Sequence, residues 1–498
     1  MRSHAWAAAV LLLTANAQTQ AANKDLKTLY DANCASCHGA DRLGAAGPAL
    51  LPGNLERLRR PDAIKTITEG RIATQMPAFG GKLTTDEIKL LSELIYTPLE
   101  HMPQWGIEQI KASRIEHQRP GSLPDKPSFT ADPLNLFVVV EVGDHHATIL
   151  DGDKLEPIAR FPTRYALHGG PKFSPDGRYV YFASRDGWVA KYDIWNLKLV
   201  AEVRAGINTR NLAISSDGRF AIAANYYPNS LVVLDAQDLK PLRVIDVKDD
   251  NGKSSRVSAV YDAAPRKSFV AALKDIPEVW EIRYDDLAAG MTMPRRIRLD
   301  DYLDDFFFDS SYNHVIGSSR EGRGQVIDLN LGRKVASVDL PGLPHLGSGI
   351  TWDYQGKPVL ATPNLKEGVV TVVDMQSWKT VKQIDTLGPG FFMRSHENTP
   401  YAWVDVFNSK TERDVIQIID KQKLEVVARL KPSPGKVAAH TEFTRDGKYA
   451  LVSIWEMDGE LVVYDAQTLK EVKRLPMKKP SGKYNVFNKI TRSAGTSH

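Results

Sequence analysis

The residues best suited to chemistry lie in one short run, Cys34-Ala35-Ser36-Cys37-His38, which holds both cysteines of the 498-residue chain. C-x-x-C-H is the attachment signature of a c-type haem. The two thiols add across the porphyrin vinyl groups, and the adjacent imidazole ligates the iron. No thiol is left for a disulfide, a zinc site or a cysteine nucleophile, so electron transfer through one covalent haem is the first expectation. The iron needs a ligand opposite His38. Met76, in Thr74-Gln75-Met76-Pro77-Ala78-Phe79, stands in a Pro-bounded loop between two helical stretches and can offer its thioether. His101 and Met102 are the alternatives.

Such residues need a small helical frame. Leu26 to Cys37 has the apolar spacing of a helix running into the motif, and Gly44 to Pro52 reads as loop. Pro61 to Gly70 reads as a helix with Asp62 in its first turn, and Thr84 or Thr85 caps a helix running to Tyr96. Residues 23–98 therefore read as a small all-α c-type cytochrome domain. Ahead of them, residues 1–22 read as a signal peptide: Arg2 and His4, the apolar run Ala5 to Leu13, then small residues. The run is too short to span a bilayer, so export to the periplasm is expected, with no stable membrane insertion. A net charge of +4 is slight for this length and gives no sign of a nucleic-acid partner. Residues 99–133, with Pro103, Pro120, Pro124 and Pro127, read as a linker.

From about Leu134 the chain repeats itself. Phe173-Ser174-Pro175-Asp176-Gly177-Arg178-Tyr179 returns as Ile214-Ser215-Ser216-Asp217-Gly218-Arg219-Phe220 and as Phe443-Thr444-Arg445-Asp446-Gly447-Lys448-Tyr449. Weaker copies lie at Phe308 to Tyr312 and Trp352 to Gly356. Each copy offers an Asp-Gly hairpin turn followed by apolar strands, and four strands per unit of about 45 residues is the pattern of a β-propeller blade. Residues 134–498 accommodate eight blades, or seven if the unit starting at Phe137 is incomplete.

A c-haem domain followed by an eight-bladed propeller resembles the cytochrome cd1 nitrite reductase family. The likeness rests on Tyr165-Ala166-Leu167-His168-Gly169-Gly170, Ser184-Arg185-Asp186-Gly187, Gly206-Ile207-Asn208-Thr209-Arg210 and Asn225-Tyr226-Tyr227-Pro228. Phe308-Asp309-Ser310-Ser311 and the terminal Ser481 to Asn488 add to it. It implies that His168 is the proximal ligand of a haem d1 iron. It also implies a pocket for that macrocycle's carboxylates, with Arg164, Arg185, Arg210 and Tyr226 as binding residues, since planar guanidinium groups suit such anions.

The departures point to a branch of the family. Nitrite reductases use two distal histidines, the first shortly before the Phe308 segment. Here that stretch, Leu303-Asp304-Asp305-Phe306-Phe307, has none. His345 resembles the second, His440 is gained, and Tyr484 stands where those proteins often carry Phe. This pattern is more similar to the biosynthetic relatives that dehydrogenate a propionate of dihydro-haem d1 to an acrylate. The resemblance then implies an oxidoreductase with haem c as electron outlet, dihydro-haem d1 as substrate and His440 as base. It also implies that Tyr484 hydrogen-bonds the side-chain carboxylate or assists that proton transfer, and that His345 is a distal ligand or second proton acceptor. Its partners are a periplasmic electron acceptor and, transiently, nitrite reductase or other haem d1 biogenesis proteins. A nitrite reductase and a non-catalytic haem d1 carrier are the alternative readings.

Overall fold

The computed structural model describes residues 25–498 except 56–57, 72–74, 166, 168–169, 292, 493 and 496–498. The leader expected over 1–22 and the iron ligand expected at His168 lie outside the described residues. The chain forms two compact units, one up to Gln104 and one from Trp105 onward.

The first unit is helical: a helix over 25–33, then Ala35–His38, Pro52–Leu55, Arg60–Glu69 and Thr85–Tyr96. Tyr30, Leu55, Ala63, Leu91 and Ile95 form its core. Between the two candidate caps, Thr84 takes the position. Its hydroxyl accepts the Glu87 N–H at 3.3 Å, and the Glu87 carboxylate accepts the Thr84 N–H at 2.8 Å. Such a reciprocal box satisfies two N–H groups that the first turn leaves without partners, and losing a cap costs about 1 kcal/mol.

The second unit contains eight antiparallel sheets. Numbered along the chain, blade 2 starts at Lys172, blade 3 at Asn208, blade 4 at Val257 and blade 5 at Asp305. Blades 6, 7 and 8 start at Ile350, Met393 and Ala438. In each of these the first strand lies innermost, and first strands of neighbouring blades touch. Blade 1 differs. Its inner strand, Pro480–Asn485, comes from the far end of the chain and pairs with Leu136–Glu141, Tyr484 opposite Val138. The unit starting at Phe137 thus lacks one strand, the C-terminus supplies it, and the ring closes with eight blades.

The repeated Asp has a local cause. Asp217 accepts the Ser215 hydroxyl at 2.6 Å and the Arg219 N–H at 3.1 Å; Asp446 accepts the Thr444 hydroxyl at 2.7 Å and the Lys448 N–H at 3.0 Å. Each is an Asx-type turn that fixes the hairpin leaving the inner strand. Within 99–133, helix Ile107–Ser113 buries Ile110 completely against blades 2 and 3, and Ile115–Glu116 extends the edge of blade 2. Among the described residues, no helix is long and apolar enough to cross a membrane.

Because neighbouring strands are antiparallel, the starts of the inner strands lie at the same end of each blade as the second-to-third-strand hairpins. That end collects Arg185, Arg210, Tyr226, Lys274, His345 and Arg394. The opposite end is crossed by the C-terminal segment. Helix Val486–Thr491 packs on blades 1 and 2, Arg492 donates to Asp262 and Tyr312, and the Gly495 carbonyl accepts the Ser395 N–H at 3.0 Å.

Candidate functional site

In the cytochrome unit, one turn of helix after Cys34 puts both thiols and His38 on a short arc. His38 is buried, and its Nδ1 donates to the Pro48 carbonyl at 2.8 Å. That bond fixes the tautomer and leaves the Nε2 lone pair for a metal. Burial also holds the imidazole below its ordinary pKa, so it is neutral. Gly47 allows the loop to pass the ring: a Cβ there would lie 2.6 Å from His38 Cε1. Both cysteines are half-buried. Met76 is half-buried in an irregular segment, where its carbonyl accepts the Arg71 N–H at 3.1 Å. His101 and Met102 are exposed. The donor set fits a covalent haem c.

In the propeller, His345, His440 and Tyr484 come together through aromatic contacts. His345 lies 4.3 Å from the Phe391 ring, Phe391 lies 4.6 Å from Phe392, and Phe392 lies 4.7 Å from His440. The Tyr484 ring is 5.0 Å from His440 at 67°. His345 Nδ1 donates to the Phe391 carbonyl at 2.6 Å, which leaves Nε2 as its acceptor. His440 is unlike it. The side chain is 1% exposed, yet neither ring nitrogen has a hydrogen-bond partner. Its backbone is in the left-handed region, φ 51°, at a break in the pairing of Ala438–Phe443 with Tyr449–Ile454. A buried, unsatisfied imidazole on a strained residue marks a place kept for a ligand. Burial first, then Lys483 and Arg394, holds its pKa well below the ordinary value, so it is neutral. Burial pushes the Tyr484 phenol up to about 12, so it is a donor. Gly170, with φ 70°, packs against this phenol, where a Cβ would lie 3.0 Å from the ring.

Arg210 and Tyr226 share one electrostatic group with Arg185 and Lys274. Burial alone would raise the Tyr226 phenol, but Arg210, Lys274 and Arg185 outweigh it and bring it down to about 8. Arg164 is held elsewhere: its guanidinium forks onto Glu202 at 2.6 and 3.1 Å and lies 3.8 Å over Trp188 in blade 2. The sequence reading passed over other members. Arg394 is 3% exposed, its Nε has no partner, and Glu442 stands 3.9 Å away. Lys172, held down to about 8 by burial and then by Arg492, lies 5.6 Å from the Tyr261 ring. Lys489 lies near Lys172 and Arg394, and burial, then those two neighbours, holds its amine well below the ordinary lysine range. In the stretch without a distal histidine, Asp305 accepts the Tyr261 hydroxyl at 3.0 Å and Asp304 pairs with Lys274. Lys483 and Lys489 flank Tyr484 in the terminal motif, a signal that could have revealed them. Arg394 opens a blade whose Asp-Gly turn has decayed, so nothing nearby marked it.

A cationic, aromatic recess on a propeller axis, in a chain that begins with a C-x-x-C-H cytochrome unit, defines a haem-binding electron-transfer protein. The chain belongs to the cytochrome d1 family: residues 131–489 match the cytochrome D1 heme domain. Residues 21–95 match the cbb3-type cytochrome c oxidase subunit III family, and the cytochrome unit carries a covalent haem c. Over 98% of both chains it is 58% identical to the dihydro-heme d1 dehydrogenase of Pseudomonas aeruginosa. It is 24% identical to the nitrite reductase of Stutzerimonas stutzeri over 93% of this chain and 92% of that one. Protein NirF of the same species is 29% identical over 70% of this chain and 90% of its own. A solved structure of dihydro-heme d1 dehydrogenase NirN in complex with DHE superposes with a TM-score of 0.84 at 58% identity. That match covers 93% of this chain and 99% of the other.

Proposed function

We propose that this chain is an oxidoreductase of haem d1 biosynthesis that dehydrogenates a propionate side chain of dihydro-haem d1 to an acrylate. The observation that carries this is the end-to-end likeness to the Pseudomonas aeruginosa dehydrogenase. The substrate side chain, –CH2–CH2–COO⁻, becomes –CH=CH–COO⁻ and gives up two electrons and two protons. The c-haem supplies a one-electron acceptor, so each turnover discharges twice to an outside carrier.

The chain's own residues divide the remaining work. Arg185, Arg210 and Arg394 hold the macrocycle's carboxylates, with Lys172 adding positive potential. Tyr226 donates from the same wall. His168 ligates the substrate iron from one side, and His345, with Nε2 turned outward, serves the other or takes a proton. His440 accepts a proton from the side chain. Its neutrality keeps it available, and an anionic propionate beside it offsets the cations that depress its basicity. Tyr484, protonated at all working pH, hydrogen-bonds that carboxylate. Met76 and His38 would hold the c-haem, which would supply a one-electron acceptor. The leader over 1–22 directs the protein to the periplasm, where an electron acceptor and, transiently, nitrite reductase or other biogenesis proteins are its partners.

The test is anaerobic incubation of the haem-loaded protein with dihydro-haem d1 and excess one-electron oxidant. The macrocycle should lose two hydrogens by mass, and its absorption should move to longer wavelength as conjugation extends. An unchanged macrocycle, or brisk nitric oxide formation from nitrite and a reductant, contradicts the reading.

A further inference from the structure

His440 has a conformation that its own side chain does not support, and two buried polar groups from different blades grip its peptide groups. On one side, Asp405, 1% exposed at the end of the second strand of blade 7, accepts the His440 N–H on Oδ2 at 3.2 Å. The same carboxylate accepts the N–H groups of Phe391 at 2.7 Å, Phe392 at 3.2 Å and Phe407 at 3.4 Å. On the other side, Lys483, 0% exposed on the closing strand of blade 1, donates from Nζ to the His440 carbonyl and to Ser453 Oγ at 2.9 Å. Strand pairing cannot do this work, because the ladder is broken between Ala439 and Glu442. A non-glycine residue at φ 51° persists only where its surroundings over-determine it. A lysine and an aspartate are poor choices for filling space, since burying a polar group is costly unless its hydrogen bonds are used.

We infer that Asp405 and Lys483 are positioning residues that clamp the His440 peptide groups from both sides and aim its imidazole into the recess. This rests on the reading of His440 as the base. Asp405 does a second task with the same oxygens. By fixing Phe391 it fixes the carbonyl that accepts His345 Nδ1, and by fixing Phe392 it sets the ring against which His440 leans. One carboxylate thus sets the distance between the two histidines, and Lys483 ties that arrangement to the strand that carries Tyr484.

The experiment is a pair of mutant cycles on the full-length haem-loaded protein, with dihydro-haem d1 and a one-electron oxidant. Lys483→Met removes the donor at nearly constant length, and Asp405→Asn replaces one accepting oxygen with a donor that faces N–H groups. A catalytic group displaced by about 1 Å loses roughly a hundredfold in rate. Each variant should therefore lose on the order of 10- to 100-fold in kcat with KM for dihydro-haem d1 held within about twofold. In a His440→Ala background Lys483→Met should cost nothing further, because there is no imidazole left to aim. Asp405 also holds His345 through Phe391, so Asp405→Asn is compared in a His440→Ala, His345→Ala background, where it too should cost nothing further. A merely structural role would still cost rate there and would move KM, and either result overturns the clamp. If His440→Ala is slow while both single variants run at the parental rate, the clamp is wrong and the base assignment stands. If His440→Ala runs at the parental rate, the base assignment fails. Should Lys483→Met not fold, Asp405→Asn alone decides, since it keeps shape and volume.

Discussion

The two halves of this protein build sites in opposite ways. In the cytochrome unit the chemistry is contiguous: two thiols and an imidazole within five residues, with the imidazole already hydrogen-bonded at 2.8 Å to Pro48. In the propeller the working groups come from nearly every blade, and several lack hydrogen-bond partners, notably both nitrogens of His440 and Nε of Arg394. A covalent cofactor needs only a local grip that endures. A macrocycle that must enter, react and leave needs unsatisfied groups held still by others, and a closed ring of inner strands provides many anchored starting points around one axis. Strain and buried unpaired polarity gather where a ligand comes and goes.

The sharpest way to separate the halves is to remove the covalent grip. Cys34→Ser with Cys37→Ser should abolish haem attachment and, with it, turnover. Thermal unfolding of the propeller should stay unchanged, because the two units have separate cores. The circular-dichroism melt and the pyridine haemochrome measure the two effects independently. Loss of the propeller transition would break the comparison.

Next in size, His440→Ala should slow acrylate formation by about 10²–10⁴-fold while substrate still binds, the usual worth of a general base. Tyr484→Phe should cost less, as one hydrogen bond is lost and the base remains. Smaller again is Arg210→Met, which removes one charged hydrogen-bond donor worth about 1.5–3 kcal/mol. Spectroscopic titration should then show dihydro-haem d1 bound roughly 10- to 100-fold more weakly, with the c-haem spectrum untouched.

The smallest effect is a pH dependence. The Tyr226 phenol, pushed up by burial and then pulled down more strongly by Arg210, Lys274 and Arg185, ionises at about 8. A carboxylate-bearing substrate disfavours the phenolate, so binding pushes this phenol back up. Affinity is therefore full below about pH 8 and falls as the pH rises beyond it. Tyr226→Phe should flatten that limb, and a limb that persists in the variant would assign it to another group.

What could be read in the sequence follows the same division. Cys34, Cys37 and His38 announce themselves because the chemistry demands neighbours in the chain, and the Asp-Gly turns announce blades because each turn is a local hydrogen-bonding device. The number of blades was open between seven and eight, because the missing strand of blade 1 lies more than 300 residues away in Pro480–Asn485. In the recess, motif segments carried Arg185, Arg210 and Tyr226 to the axis. Arg394, Lys172 and Asp405 stayed hidden, since their roles come from burial and neighbours on other blades. Arg164 shows the converse: an arginine at promising spacing is committed to Glu202 and Trp188.

The central claim is that electrons taken from the substrate side chain leave through the c-haem. Rapid mixing of the oxidised, haem-loaded protein, in more than twofold excess over dihydro-haem d1 and under argon without any other acceptor, tests it most directly, because two c-haems must be reduced for each acrylate formed. The c-haem absorption and the acrylate-extended macrocycle absorption are followed together. The account predicts two c-haems reduced per acrylate formed, and that His440→Ala slows both signals. Acrylate formation while the c-haem remains oxidised would contradict it.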